Sequence, residues 1–289
     1  MTRRVWLVLL ALWLSGCAGT GEKPPSQPAT PLKIGLALGG GAARGFAHVG
    51  VIKALEAQGI VPDIIVGTSA GSVVGALYAA GISGLELQKL ALDMEENQIG
   101  DWSLPDRGVF KGEALQNFVN KAVNQRSIEK FPRQFAAVAT NLRNGDVMVF
   151  RNGNAGAAVR ASSAVPGVFQ PVSLGGQEYV DGGLVSPLPV RIARNLGAEF
   201  VIAVDISAKP KDKPTRSTLD VLLQTFAIMG QSISRYEADS ADVMIRPVTA
   251  DLPAADFAAR HRAVLEGERA AAAVMTDLKA RIERKRAGR

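Results

Sequence analysis

The chain has 289 residues, room for one sizeable domain or two small ones. Apolar residues make up 47% of it, which supports a large buried core and excludes global disorder. The formal net charge is +6, two of the cations (Arg3 and Arg4) fall in a segment expected to be removed, and no Lys/Arg run is interleaved with aromatics, which argues against a nucleic-acid binder.

The chain opens MTRRVWLVLLALWLSGC. Two arginines, an apolar run from Val5 to Leu14 and small residues give the layout of a secretory signal peptide over residues 1–16. The run is too short for a comfortable transmembrane helix, which needs about 20 apolar residues. Leu14-Ser15-Gly16-Cys17 resembles a bacterial lipobox, in which cleavage precedes a cysteine that becomes acylated. Cys17 is the only cysteine, so an intramolecular disulfide cannot account for it. Residues 17–31 continue as a Gly-, Pro-, Ser- and Thr-rich stretch suited to a flexible tether. Ala18, rather than Asp, follows the cysteine. By resemblance to lipoprotein sorting rules, this implies an outer-membrane location facing the periplasm.

Residues 32–38 read as a short buried strand that runs into Gly39-Gly40-Gly41-Ala42-Ala43-Arg44-Gly45. A helical pattern follows over 46–58, with Phe46, Val49, Ile52 and Leu55 on one face and Gly59 as the stop. A second apolar strand, 63–67, turns at Gly67-Thr68-Ser69-Ala70-Gly71 into a helix over 72–80 closed by Gly81. Ser83 and Glu86 have capping-box spacing, and Leu115, Phe118, Val119 and Ala122 mark a further helix. Asn144-Gly145 between 135–142 and 146–151 predicts a hairpin, as does Gly175-Gly176 before Asp181-Gly182-Gly183. Helices are predicted at 157–164 and 189–196, then a buried strand at 200–206, a polar loop at 209–215, and two helical stretches around a last strand near 242–246. Strands alternating with helices predict an α/β domain with a mainly parallel sheet. The predicted division is a catalytic domain over 32–207 and a helical extension of the same domain over 208–289.

Three motifs carry chemistry. G-x-S-x-G on a strand-to-helix turn is a nucleophile elbow, and it places Ser69 where a helix N-terminus favours a developing anion. The glycines at 39–41 can present backbone N–H donors to a tetrahedral oxyanion. A dinucleotide or nucleotide cradle does not fit: the sixth position from Gly39 is Arg44, and Phe46 rather than Lys follows Gly45. Asp181 directly follows a strand and can serve as the base that a serine nucleophile requires. Asp-Gly taken alone is a common turn. Only His48 and His261 could complete a Ser-His-Asp triad. The order Ser69, Asp181, His261 matches that of α/β-hydrolases, but His261 lies in a continuous helical pattern.

GGGAARG, GTSAG and DGG, in that order, resemble the patatin-like phospholipase family over residues 33–205. The resemblance implies a three-layer fold with helices on both faces of the sheet, and a Ser-Asp dyad without histidine. Ser69 would be the nucleophile and Asp181 the proton acceptor. Gly40, Gly41 and Ala42 would supply the oxyanion N–H donors, with Arg44 stabilising the loop. Gly39, Gly45, Gly67, Gly71, Gly182 and Gly183 complete the motifs. The segment Ala161 to Pro166 resembles a further block packed near the site. Many plant members have DGA where this chain has DGG. No cofactor, metal or calcium loop is implied. In such a dyad the carboxylate should lie about 2.6–3.2 Å from the serine hydroxyl.

The implied activity is hydrolysis of ester bonds in membrane lipids, phospholipid, lysophospholipid or neutral. The alternatives are acyl transfer by the same dyad, an α/β-hydrolase esterase using His261, and an inactive lipid-binding lipoprotein. The basic C-terminus, Lys279 to Arg289, reads as a solvated helix end, with attraction to anionic lipid as the other reading.

Overall fold

The computed structural model describes residues 31–94, 101, 108–207, 210, 215–249 and 259–289. The signal peptide, Cys17, the tether and most of the 209–215 loop lie outside these residues. Eight strands are described: β1 (Ile34–Leu38), β2 (Ile64–Thr68), β3 (Gln134–Asn141), β4 (Val147–Phe150), β5 (Val172–Leu174), β6 (Gln177–Asp181), β7 (Phe200–Val204) and β8 (Val243–Ile245). The described helices are α1 (Phe46–Glu56), α2 (Ala70–Ala79), α3 (Gly84–Asp93), α4 (Glu113–Ala122), α5 (Ala155–Ser162), α6 (Val190–Asn195), α7 (Thr218–Ala238) and α8 (Arg260–Ala287).

The strands form one sheet in which β3, β2, β1, β7 and β8 run parallel, β4 and β6 run antiparallel to β3, and β5 pairs antiparallel with β6. Alternation along the central strands explains the three layers. Leu36, Leu38, Ile65, Phe135, Ile202 and Val204 pack into one core with α1 to α4 and α8. Ala37, Ile64, Val66, Ala136, Val201 and Ala203 point into a smaller core under α6. A strand covered on both faces reads as a continuous apolar run, and these do.

Several local rules hold. Ser83 and Glu86 close their capping box at the start of α3. Gly175 and Gly176 both have positive φ and form the two-residue loop between β5 and β6. The helix expected at 157–164 starts two residues earlier, because the Asn154 side chain caps it by accepting from Ala157 N–H at 2.7 Å.

The C-terminal region is integral to the fold: Leu32–Gly288 is one compact unit. Helix α8 lies against α1 at van der Waals depth. A Cβ on Gly267 would stand 2.0 Å from the Ala47 carbonyl oxygen, and one on Gly50 would stand 1.9 Å from that of Val264. The two backbones approach this closely only because neither position carries a side chain.

The topology also positions the site. Val138 of β3 pairs with Thr68 on one side and Val149 on the other, and Ala139 pairs with Asp181 and Met148. Strand β4 therefore occupies one edge of β3, and β2 and β6 meet end to end along the other. The residue after β2 is Ser69 and the last residue of β6 is Asp181.

Candidate active site

Ser69 joins β2 to α2 with φ 53° and ψ −124°, a left-handed conformation that non-glycine residues rarely adopt. Close backbone approaches and hydrogen bonds hold the turn. A Cβ on Gly67 would meet the Gly71 carbonyl oxygen at 2.3 Å, and one on Gly71 would meet that of Leu38 at 2.1 Å, so both flanking positions exclude a side chain. The Ser72 hydroxyl donates to the Ser69 carbonyl at 2.7 Å. The Ser69 N–H donates to the Ser162 hydroxyl oxygen at 2.9 Å, and that hydroxyl donates onward to the Val138 carbonyl at 2.5 Å.

Asp181 is 6% exposed. Its Oδ1 accepts from the Gly183 N–H at 2.7 Å, while Oδ2 is buried with no hydrogen-bond partner among the described residues. The Thr140 hydroxyl donates to the Asp181 carbonyl at 2.8 Å, and a Cβ on Gly182 would stand 2.2 Å from the Val138 carbonyl oxygen. The turn is thus pressed onto β3. Burial raises the Asp181 pKa from 3.8 to about 6, opposed by the nearby Ser69 hydroxyl and the Gly183 amide. The Ser69 hydroxyl thus bears directly on this carboxyl, holding its pKa down against burial.

The glycine loop lies directly on the elbow. A Cβ on Gly40 would stand 3.3 Å from the Ser69 Cβ, and one on Gly45 would stand 2.8 Å from the Ala70 Cβ. Gly40, expected to supply an oxyanion donor, has no free amide. Its amide donates to the Pro187 carbonyl at 3.0 Å, as the Gly39 amide does to Val204, so neither is free. The amides of Gly41 and Ala42 have no partner among the described residues, and Ala42 has φ 52°. Arg44 runs in a 3₁₀ turn over Ala42–Gly45, is 6% exposed, and donates from Nε to the Gly41 carbonyl at 3.1 Å. Burial lowers its pKa, and the carboxylate of Asp205 opposes this.

Neither histidine is hydrogen-bonded to Ser69 or Asp181 among the described residues. His48 is fully buried on α1, and its Nε2–H donates to the Gly39 carbonyl at 2.8 Å. Burial drives its pKa down to about 4, so the ring is neutral near pH 7, and Nδ1 has no partner. His261 is exposed in the first turn of α8, and no imidazole bonds to the Asp181 carboxylate. Among the described residues no cluster of three or more His, Cys, Asp or Glu could hold a metal.

The patatin-like phospholipase family profile matches residues 36–194, a stretch that contains the glycine loop, the elbow and the DGG turn. The chain belongs to the patatin-like phospholipase family. An uncharacterized NTE family protein of Mycobacterium tuberculosis is 38% identical over 178 residues, 61% of this chain and 49% of that protein. Patatin-like phospholipase domain-containing protein 6 of Homo sapiens is 34% identical over 61% of this chain and 13% of its own length. Lysophospholipase NTE1 of Coccidioides immitis is 36% identical over 63% of this chain and 12% of its own length. The chain thus spans half or less of these relatives. VipD from Legionella pneumophila shares the fold with a TM-score of 0.58 at 15% identity, over 86% of this chain and 67% of that one.

Sequence reasoning missed the role of Ser162. It lies in the Ala161 to Pro166 block, but nothing in its spacing says that its hydroxyl receives the Ser69 amide. Its full burial beside Ser163 is a property of the fold alone.

Proposed function

We propose that this chain hydrolyses carboxylic ester bonds of membrane lipids, with Ser69 as nucleophile and Asp181 as proton acceptor. The observation that carries the reading is a buried carboxylate oxygen without a partner, beside a serine held in a strained turn. The phospholipase and lysophospholipase names of the relatives favour a phospholipid or lysophospholipid substrate.

In the first step the Ser69 hydroxyl oxygen attacks the ester carbonyl carbon and its proton passes to Asp181 Oδ2. The negative charge on the former carbonyl oxygen is met by the amides of Gly41 and Ala42, held by the Arg44 contact. The tetrahedral intermediate collapses, the alcohol leaves with the proton from Asp181, and Ser69 remains acylated. Water then attacks the acyl carbon, gives a proton to Asp181, and the second collapse returns that proton to Ser69 and releases a fatty acid. A pKa of about 6 leaves Asp181 ionised at pH 7 and able to hold a proton transiently.

The lipobox-like Leu14-Ser15-Gly16-Cys17 supports a further part of the proposal: a bacterial envelope protein acylated at Cys17 and tethered by residues 18–31, on the outer membrane and facing the periplasm. A fluorophosphonate probe should label Ser69, and vesicles of phospholipid or lysophospholipid should release free fatty acid only with the intact serine. Adducts mapped to another serine would remove the site assignment. Acyl groups recovered on an alcohol acceptor instead of as free acid would make the chain a transferase.

A further inference from the structure

The N-terminal half of α7 is an exposed apolar helix beside the site. Its start is fixed by a capping box: the Ser217 hydroxyl accepts from Asp220 N–H at 3.1 Å, and Asp220 accepts from Ser217 N–H at 2.9 Å. Its end is anchored by Glu237, which is buried and accepts from the Ser186 hydroxyl at 2.7 Å and the Arg191 N–H at 3.1 Å. Between these anchors no residue from Val221 to Ser234 is charged. Even so, Val221 is 53% exposed, Ile228 51% and Met229 46%, and Leu222 and Leu223 are also exposed. An apolar surface of this kind on a folded domain marks an interaction site.

We propose that this half-helix docks the protein on an anionic lipid surface and sets the mouth of the site against it. This rests on the reading of the chain as a lipid ester hydrolase. Three observations favour a lipid surface over a protein partner. The first is angular spread. At about 100° per residue, Val221, Leu222, Leu223, Ile228 and Met229 cover more than half of the helix circumference, wider than the stripe of about 100° that one packed partner covers. An interfacial helix buries its apolar face about 5–10 Å into the headgroup region, which can take in a face this wide. The second is position. Leu222 and Leu219 reach to 3.1 and 3.2 Å from where a Cβ on Gly167 would stand, at the end of the block that supplies Ser162. The helix also packs on Gly182–Leu184, the turn that holds Asp181. The third is charge. Lys209, Lys211, Lys213 and Arg216 immediately precede the helix with one carboxylate, Asp212, among them. Cations adjacent in sequence to an apolar helix add attraction to anionic headgroups. Among the described residues no helix is long and apolar enough to cross a membrane, so α7 lies on the surface rather than spanning it.

The test uses residues 18–289, which keep the compact unit Leu32–Gly288 but lack Cys17 and the apolar run before it, with Ser69→Ala so that the vesicles are not consumed. Binding to phosphatidylglycerol vesicles and to phosphatidylcholine vesicles is measured by co-sedimentation, with and without V221E, I228E and M229E. These positions are exposed, so the fold should persist, and circular dichroism checks it. The triple variant should lose about a hundredfold in partitioning to phosphatidylglycerol vesicles. With Ser69 restored, it should keep turnover on a soluble short-chain ester while losing turnover on vesicle lipid. Unchanged vesicle binding in the folded triple variant overturns the proposal. So does loss of a dimer on gel filtration with vesicle binding intact, which would make the face an interface between copies. If the parent binds vesicles and needs α7 to do so, but hydrolyses neither substrate, the docking surface stands and the hydrolase reading fails.

Discussion

Replacing Asp181 by Asn removes the proton acceptor, and it also removes a carboxylate held away from water. Burial raises that pKa from 3.8 to about 6. A difference of about two units corresponds to about 3 kcal/mol between the charged and neutral forms. Below about pH 4 the group is protonated in both the folded and the unfolded chain, and the wild type carries no penalty. Between about pH 4 and 6 the unfolded chain ionises first while the folded chain keeps its proton, so wild-type stability falls as pH rises. Above about pH 6 both states are ionised and the penalty is constant at about 3 kcal/mol. Asn has no proton to lose. The stability gap in favour of Asp181→Asn should therefore widen from pH 4 to 6 and then level off. At pH 7 this is about 6–10 °C in Tm for a chain of this size. The wild-type kcat/KM should rise about tenfold between pH 5 and 7, as the base with pKa near 6 ionises. Thermal unfolding of both proteins at four pH values, with turnover measured beside it, provides the check. A gap that does not change with pH, or a variant less stable at pH 7, would refute the burial argument.

Ser162→Ala should leave the Ser69 amide buried and unsatisfied, at a cost of about 1–3 kcal/mol in urea unfolding, and should lower kcat more than it raises KM because the elbow is held less tightly. Gly267→Ala gains about 1 kcal/mol of helix propensity but forces a Cβ toward the Ala47 carbonyl, so the net effect should be a loss of about 1–3 kcal/mol with kcat nearly unchanged. Cys17→Ala should leave the protein unprocessed or released from the membrane fraction in cells. Mature, processed variant still sedimenting with membranes would sink the lipoprotein proposal.

The parts of this molecule written in local sequence were legible. Gly67 to Gly71 after an apolar strand predicted the elbow because only a turn stripped of side chains can make that bend. Asn144-Gly145 and Gly175-Gly176 predicted hairpins because positive φ is inexpensive there. The meeting of β2 and β6 along one edge of β3 was not legible, since strand order is a long-range choice. The occupied Gly40 amide was missed for the same reason: its acceptor, Pro187, is remote in sequence and reaches it only through the fold. Helix α7 was read only as a helical stretch, since an apolar residue on a helix reads as core until the fold shows which side remains uncovered.

The claim that Asp181 alone takes the Ser69 proton is tested most directly by assaying Ser69→Ala, Asp181→Asn and His261→Ala side by side on one short-chain ester. Ser69→Ala and Asp181→Asn should each lose about 10⁴-fold or more in turnover, and His261→Ala should keep most of it. A folded His261→Ala as inactive as Ser69→Ala would contradict the dyad.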